Sequence, residues 1–329
     1  MKAQDFSSLS RSTTVPSIRK GDVEEVVVLL PPSAEQTRIA QKLDKLLAQV
    51  DTLKNRIDAI PALLNHFRQS VLAAAVSGRL TSASENLTLP ASWKMVPLSV
   101  VLQDLRYGTA QKCDYNGGGV GVLRIPNIGD REITLNDLKS SEFSEAEINK
   151  LSLQEGDILI IRSNGSVDLV GKSVVIGHKE AGLLFAGYLI RLRLDRHQAL
   201  PAYVNFWLKS PRVRQVIEQT ARSTSGVNNI NSEEIKSLEF TMPPLDEQTE
   251  IVRRVEQLFA FADQLENKVQ TAQARIDLLT QSLLAKAFRG ELVPQDPDDE
   301  PASVLLERIR AQRAAQPKAR RGRKAAAAN

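Results

Sequence analysis

The chain has 329 residues, of which 42% are hydrophobic and 25% charged, and its net charge is +4. This suits a globular protein of two or more domains, and the mild positive charge permits a nucleic-acid partner without demanding one. No apolar run reaches the ~18 residues needed to span a bilayer; the single cysteine, Cys113, excludes an internal disulfide, and His66, His178 and His197 are not spaced as metal ligands.

Taken in order, residues 1–32 enter abruptly into a polar loop with Arg11-Ser12-Thr13, an acidic turn at Asp22 and an alternating strand that ends in Pro31-Pro32. Residues 33–80 read as one long helix. Its apolar positions are Ile39, Leu43, Leu46, Val50, Leu53, Ile57, Ile60, Leu64, Phe67 and Val71. They alternate steps of four and three, the a/d pattern of a coiled coil. Pro61 predicts a bend within it, and Gly78 a left-handed cap at its end.

Residues 81–89 form a polar linker. The segment from Trp93 to Met242 reads as mixed α and β. Strands are expected over Trp93–Pro97, Gly121–Ile125, Ile158–Arg162, Lys172–Ile176 and Tyr188–Leu194, between Gly-, Asn- and Asp-containing turns. Helices are expected over Glu145–Lys150, Pro201–Leu208 and Pro211–Ala221, with both prolines in a first helical turn.

The opening pattern then recurs. Pro243-Pro244-Leu245-Asp246-Glu247-Gln248 repeats Pro31-Pro32-Ser33-Ala34-Glu35-Gln36 at an offset of 212 residues (243 − 31). The second heptad, in residues 245–292, runs through Ile251, Val255, Leu258, Ala262, Leu265, Val269, Ala272, Ile276, Leu279 and Leu283 and closes at Gly290. Upstream, Arg222-Ser223-Thr224, Ile230 and Glu233-Glu234 echo Arg11-Ser12-Thr13, Ile18 and Asp22. Two halves of one pseudo-symmetric object are expected, their long helices packed antiparallel. Residues 293–329 read as a mostly disordered basic tail, with a short helix over 301–313.

No motif carries bond-making chemistry. The strand-Pro-Pro junctions lack the polar and aromatic residues of an amino-methyltransferase loop, and Gly117-Gly118-Gly119-Val120-Gly121 reads as a hairpin turn rather than a phosphate loop. Three polar loops instead hold the residue types that read nucleic acid: Arg106–Lys112, Arg162–Ser166 and Arg222–Asn229. Arginine and asparagine pair bidentately with base edges, whereas serine and lysine reach phosphates.

In this order the motifs resemble the specificity subunits of type I restriction-modification enzymes: Leu89-Pro90-x-x-Trp93, Tyr107-Gly108-Thr109, Leu123-Arg124-Ile125-x-Asn127-Ile128, Gly156-Asp157-Ile158-Leu159 with Arg162-Ser163, Leu169-Val170-Gly171-Lys172, and the duplicated Pro-Pro-x-x-Glu-Gln. The resemblance implies an α+β chain: a mixed α/β target-recognition domain flanked by two long antiparallel coiled-coil spacer helices. The segments would be 1–32, the remnant of a first recognition domain; 33–80, the first spacer; 81–244, the recognition domain; 245–292, the second spacer; and 293–329, the tail.

It further implies a non-catalytic, cytoplasmic subunit that binds double-stranded DNA and docks methyltransferase and restriction subunits. No cofactor is expected on this chain, with S-adenosylmethionine, ATP and Mg2+ used by the partner subunits. DNA contacts are expected from Arg162, Ser163 and Asn164, then Tyr107, Lys112 and Arg124, then Lys172, Arg222 and Ser225. The shortened front leaves a second copy, a complementing fragment or an inactive remnant as alternatives. A coiled-coil scaffold that binds protein is the rival reading.

Overall fold

A computed structural model describes residues 19–81, 89–221 and 226–315. Arg11–Thr13, Ile18, most of the 81–89 linker, Arg222, Ser225 and the end of the basic tail lie outside the described residues. Along the chain the elements are α1 (Lys20–Glu24), α2 (Ser33–Asp58), α3 (Ile60–Val76), β1 (Lys94–Pro97), β2 (Leu102–Tyr107), β3 (Val120–Leu123), β4 (Lys139–Ser141), α4 (Glu145–Leu151), β5 (Ile158–Ile161), β6 (Ser163–Asn164), β7 (Ser173–Val175), β8 (Leu184–Phe185), β9 (Leu189–Leu194), α5 (Pro201–Lys209), α6 (Pro211–Ala221), β10 (Asn228–Asn229), α7 (Ser232–Lys236), β11 (Glu239–Met242), α8 (Leu245–Phe288) and α9 (Ala302–Ala315). They divide into two compact units, residues 1–61 with 266–329, and residues 62–265.

The internal duplication holds in the backbone. Helices α1 and α7 are offset by 212 residues at both ends (232 − 20, 236 − 24), and α2 and α8 begin 212 apart (245 − 33). Gly78 and Gly290 both adopt positive φ, 78° and 73°, as the helix caps require. The Pro-Pro-x-x-Glu-Gln motif has a physical basis. The carbonyl of its first proline lies outside the helix and has no helical N–H to accept. The glutamine, in the first turn, folds back to supply one: Gln36 Nε2 donates to Pro31 O at 2.8 Å and Gln248 Nε2 to Pro243 O at 2.9 Å. The glutamate before it sits in the first turn, where the helix dipole favours negative charge.

Gln248 does more than Gln36. It is fully buried, accepts the Leu200 N–H at 2.8 Å and donates to Gln198 O at 3.0 Å, tying the start of α8 to the loop before α5. Gln248→Ala is expected to cost about 1–3 kcal/mol, because it strands buried backbone groups. Gln36→Ala should cost no more than about 0.5 kcal/mol, as expected of a more open site. Urea unfolding of both variants tests this, and equal midpoints would remove the distinction.

Within the first unit α2 and the end of α8 run antiparallel, as Lys54–Asp277 (3.6 Å) and Gln273–Asp58 (2.8 Å) show. Arg38 forks onto Asp299 at 3.1 and 2.6 Å, pinning the segment ahead of α9 to α2. One expectation is met here and one is corrected. Residues 302–315 of the tail are helical, matching the short helix expected over 301–313. The segment Val26–Leu30, expected as a strand before the double proline, is irregular, because no described segment pairs with it. The long helix expected over 33–80, interrupted at Pro61, is indeed two: α2 stops at Asp58, and α3 carries Pro61 as its second residue, where no N–H is needed.

The second unit is the mixed α/β part. Its main sheet has the order β2-β9-β5-β7, all antiparallel. A smaller sheet, β4-β3-β8, and the ribbons β1·β11 and β6·β10 complete it. Strand β5 is buried on both faces, and its alternation sends side chains to two cores. Ile158 and Ile160 join Val71, Leu72, Tyr203, Trp207, Phe240, Ile251 and Val255 in one; Leu159 and Ile161 join Val122, Leu123, Phe185 and Ile176 in the other. Helix α3 and the start of α8 are therefore part of the domain core. They too run antiparallel, through Arg68–Asp263 (2.8 Å) and Thr81–Glu247 (2.8 Å).

The expected spacer seam divides accordingly. Ile251 and Val255 are fully buried in the domain core, while Val50, Val269 and Ile276 are buried on the helices. Ile39, Leu43, Leu46, Leu258 and Leu265 are half-buried. Leu53 departs from the expectation and is 48% exposed. A straight helix drifts from a strict heptad by ~20° per repeat, and Leu53 lies one turn from the end of α2.

Candidate nucleic-acid interface

The described parts of the polar loops around Tyr107, Arg162 and Asn228-Asn229 meet at one end of the main sheet. Strand β5 delivers Arg162 at its end, and β6 follows at once. There Ser163 and Asn164 pair with Asn229 and Asn228 of β10. The Arg162 backbone is held on both sides, its N–H donating to Tyr188 O and its carbonyl accepting from Ile230 N, each at 2.9 Å. Its guanidinium lies 4.6 Å from the centroid of the Tyr107 ring, and Nε donates to Asn229 Oδ1 at 3.2 Å. Tyr107 is anchored in turn, because its hydroxyl accepts the Ser232 N–H at 2.9 Å. Among the described residues nothing occupies the two terminal guanidinium nitrogens. The result is a planar fork, stacked on an aromatic face and held by one edge, with the other edge free for a planar acceptor pair.

The surroundings of Arg162 are polar and aromatic. Asn228 Nδ2 donates to Gly165 O at 3.0 Å, and Asn164 Oδ1 accepts the Ser166 N–H at 2.8 Å, so this loop is shaped by its own side chains. Tyr188 is 62% exposed beside Arg162. Tyr188, Asn228 and Asn229 were not singled out from the sequence. The two asparagines fall in a loop that was recognised. Nothing in the sequence distinguishes the exposed Tyr188 from the buried Tyr203.

The other expected contacts lie in different settings. Lys112 is exposed. Arg124 is engaged internally: Nη2 donates to Asp137 O and Oδ2, both at 2.8 Å, and its guanidinium lies 5.9 Å from the Tyr115 ring. Its neighbour Asn127 is fully buried and bonds the Arg124 N–H and the Thr134 carbonyl. The Leu-Arg-Ile-x-Asn motif is thus a loop clasp in this chain. Lys172 is ion-paired with Asp130 at 2.7 Å. That contact, first through the hydrogen bond from Lys172, holds the Asp130 carboxyl below its ordinary range. Nearby, burial lowers Lys209 to about 8. Among the described residues no cluster of His, Cys, Asp and Glu could hold a metal ion, and no helix is long and apolar enough to cross a membrane.

A mixed α/β domain that lies in the chain between the two copies of a duplicated helical unit, with an arginine-asparagine-tyrosine surface at one end of its main sheet, has the features of a recognition module. The family model for the type I restriction modification DNA specificity domain matches residues 1–62 and 90–272. The specificity subunit of the type I restriction enzyme EcoKI from Escherichia coli strain K12 is 42% identical, over 94% of this chain and 69% of that subunit. The StySPI specificity subunit of Salmonella potsdam is 41% identical over 94% and 68%. The chain therefore belongs to the specificity subunits of type I restriction enzymes. In fold it resembles a type I restriction-modification structure (TM-score 0.68, 23% identity, 87% of this chain and 67% of that one). It also resembles the HsdS subunit of Thermoanaerobacter tengcongensis (TM-score 0.56, 23% identity, 87% and 66%).

Proposed function

We propose that this chain reads one part of a DNA target for a type I restriction-modification complex and carries no chemistry of its own. The observation that carries the reading is the Arg162 fork, stacked on Tyr107 and free at its outer edge. Arg162 would read a guanine edge. Asn164, Asn228, Asn229 and Ser163 would supply further base or phosphate contacts, and Tyr107 would position Arg162. Exposed Lys112 and, once released from Asp130, Lys172 would contact phosphates. Arg124 is the weakest of the expected contacts, since reaching DNA would open its clasp on Asp137. Arg222 and Ser225 would extend the surface from the adjacent loop.

The paired helices would serve as the frame on which methyltransferase subunits dock and motor-nuclease subunits assemble, in the cytoplasm. S-adenosylmethionine, ATP and Mg2+ would act in those partners. In the first unit, exposed Leu53, Leu278 and Leu279 offer apolar contact for such docking. One recognition domain reads one half of a split site; a second copy or a complementing fragment would read the other.

Selection from a random duplex library, with this chain and its methyltransferase subunit, tests the reading. A split site with unlike halves would indicate a complementing domain, and an inverted repeat two copies. Binding should fall steeply with salt as phosphate counterions are released. Enrichment of no sequence from a monodisperse complex would sink the proposal.

A further inference from the structure

Between β3 and β4 the chain turns tightly. Ile128 bridges Ile133 antiparallel, and the Gly129 N–H donates to Glu132 O at 2.9 Å, which puts Asp130 and Arg131 at the tip of a hairpin. Different elements hold the two tip residues. Arg131 forks onto Asp263 of α8, one bond at 2.7 Å, and its guanidinium lies 5.7 Å from the Phe259 ring. Asp130 meets two lysines. Its carboxylate pairs with Lys172 at 2.7 Å, and its backbone carbonyl accepts from Lys209 Nζ at 2.7 Å.

The place of this contact gives it meaning. The Ile161 N–H donates to Lys172 O at 2.9 Å, so Lys172, one residue ahead of β7, stands opposite the residue before Arg162. Neighbouring strands lie ~4.8 Å apart, and the lysine pair is therefore at the same end of the main sheet as the Arg162 fork. Two ammonium groups stand against the one Asp130 carboxylate, because Arg131 is spent on Asp263, which Arg68 also engages. The Lys172 side chain is 22% exposed and that of Asp130 93%. An ion pair whose carboxylate stands in water is weak and easily exchanged.

We propose that Lys172 and Lys209 form a binding site for one backbone phosphate of DNA, and that Asp130 occupies it in the free protein as a stand-in carboxylate. This rests on reading the chain as a DNA-binding subunit. The Arg131–Asp263 fork keeps the hairpin tip in place, so the Asp130 side chain swings into water while its backbone stays. The phosphate then takes both ammonium groups, and counterion release drives the exchange. Displacing Asp130 lowers affinity for duplex of every sequence, which leaves occupancy to the base contacts of Arg162.

Asp130→Asn keeps the shape of the side chain and removes the competing charge. Anisotropy titrations of the full chain with its methyltransferase subunit, on a duplex of random sequence, should show affinity raised about three-fold or more. The gain should vanish when Lys172→Met and Lys209→Met are added, because no site is then left to vacate. In the Asp130→Asn background these two substitutions should flatten the slope of log affinity against log salt by about 0.9, one phosphate contact. Urea midpoints check folding, and if the double lysine variant does not fold, Lys172→Met alone carries the comparison. A gain that persists without the lysines is a general charge effect and would overturn the site. Equal affinity of the parent and Asp130→Asn, with binding still steep in salt, would overturn it too and leave the DNA reading standing. A gain from Asp130→Asn with Arg162→Ala silent on every duplex would keep the phosphate site and remove the base reading. Binding of no duplex by either protein would overturn both.

Discussion

Asp157→Ala is expected to destabilise the recognition domain by about 3–5 kcal/mol, the cost of leaving a buried charge without its partner. The second face of β9 carries Arg191 and Arg193 where the first carries Ile190, Leu192 and Leu194. Arg191 is 1% exposed. It donates to Asp104 Oδ2 at 2.5 Å and Ser152 O at 3.0 Å, and its Nε lies 4.0 Å from Asp157 Oδ2 with no hydrogen-bond partner of its own. Asp157, 2% exposed, accepts two bonds from Arg193 at 2.8 and 2.7 Å and the Gln154 N–H at 2.8 Å. Removing Asp157 therefore leaves Arg191 and Arg193 with no carboxylate but the half-exposed Asp104, which Arg106 already engages at 2.8 Å.

Arg191→Met should cost less, because Asp104 can hydrate and Asp157 keeps Arg193. Both tryptophans, Trp93 and Trp207, lie in the domain core. Their fluorescence in a urea titration reports the midpoint. A midpoint for Asp157→Ala equal to that of the parent would show that the network contributes nothing.

Arg162→Ala should weaken binding to the selected duplex by about 1–3 kcal/mol, roughly 5- to 150-fold, and relax specificity at a single base pair. The argument rests on geometry. The guanidinium is fixed in plane by Tyr107 and along one edge by Asn229, so its ordering cost is met before DNA arrives. Arg162→Lys should not rescue, since a point charge cannot present two parallel donors. Tyr107→Leu should produce a smaller loss at the same base pair, as expected of a residue that positions the reader. Lys172→Ala should weaken all duplexes alike and flatten the salt dependence. Anisotropy titrations on the selected duplex and its single-substituted variants, over a salt series, separate these patterns. Equal loss on cognate and random duplex for Arg162→Ala would make it a phosphate contact.

Much of the architecture was legible in the sequence, for local reasons. Helix periodicity, proline at a first turn and glycine at a helix end depend on neighbours a few residues away. Hence α5, α6, α8 and both glycine caps lie where the pattern placed them, and the offset of 212 predicted the match of α1 to α7. The candidate site was legible by residue type only. Tyr107 reads as part of a loop in the sequence and is the last residue of β2, a strand whose pattern is not legible there. Arg162 stood out by composition, yet its stacking on Tyr107 and its bond to Asn229 join residues far apart in the chain.

The chain by itself determined the duplicated frame, the helix boundaries and the residue types available to read DNA, because those follow from short-range periodicity, capping and side-chain chemistry. Only the tertiary structure decided which arginine is free. Arg124 and Arg162 are both candidates in the sequence, and nothing in it shows that one of them is closed off. A carboxylate thirteen residues on closes the first, while a tyrosine and an asparagine from two other strands hold the second open. It also decided the fate of the two segments that precede a double proline. Leu238–Met242 contains a strand because Lys94–Pro97 pairs with it. Val26–Leu30, without a described partner, is not one. A strand is a property of a pair, and one segment cannot specify it alone.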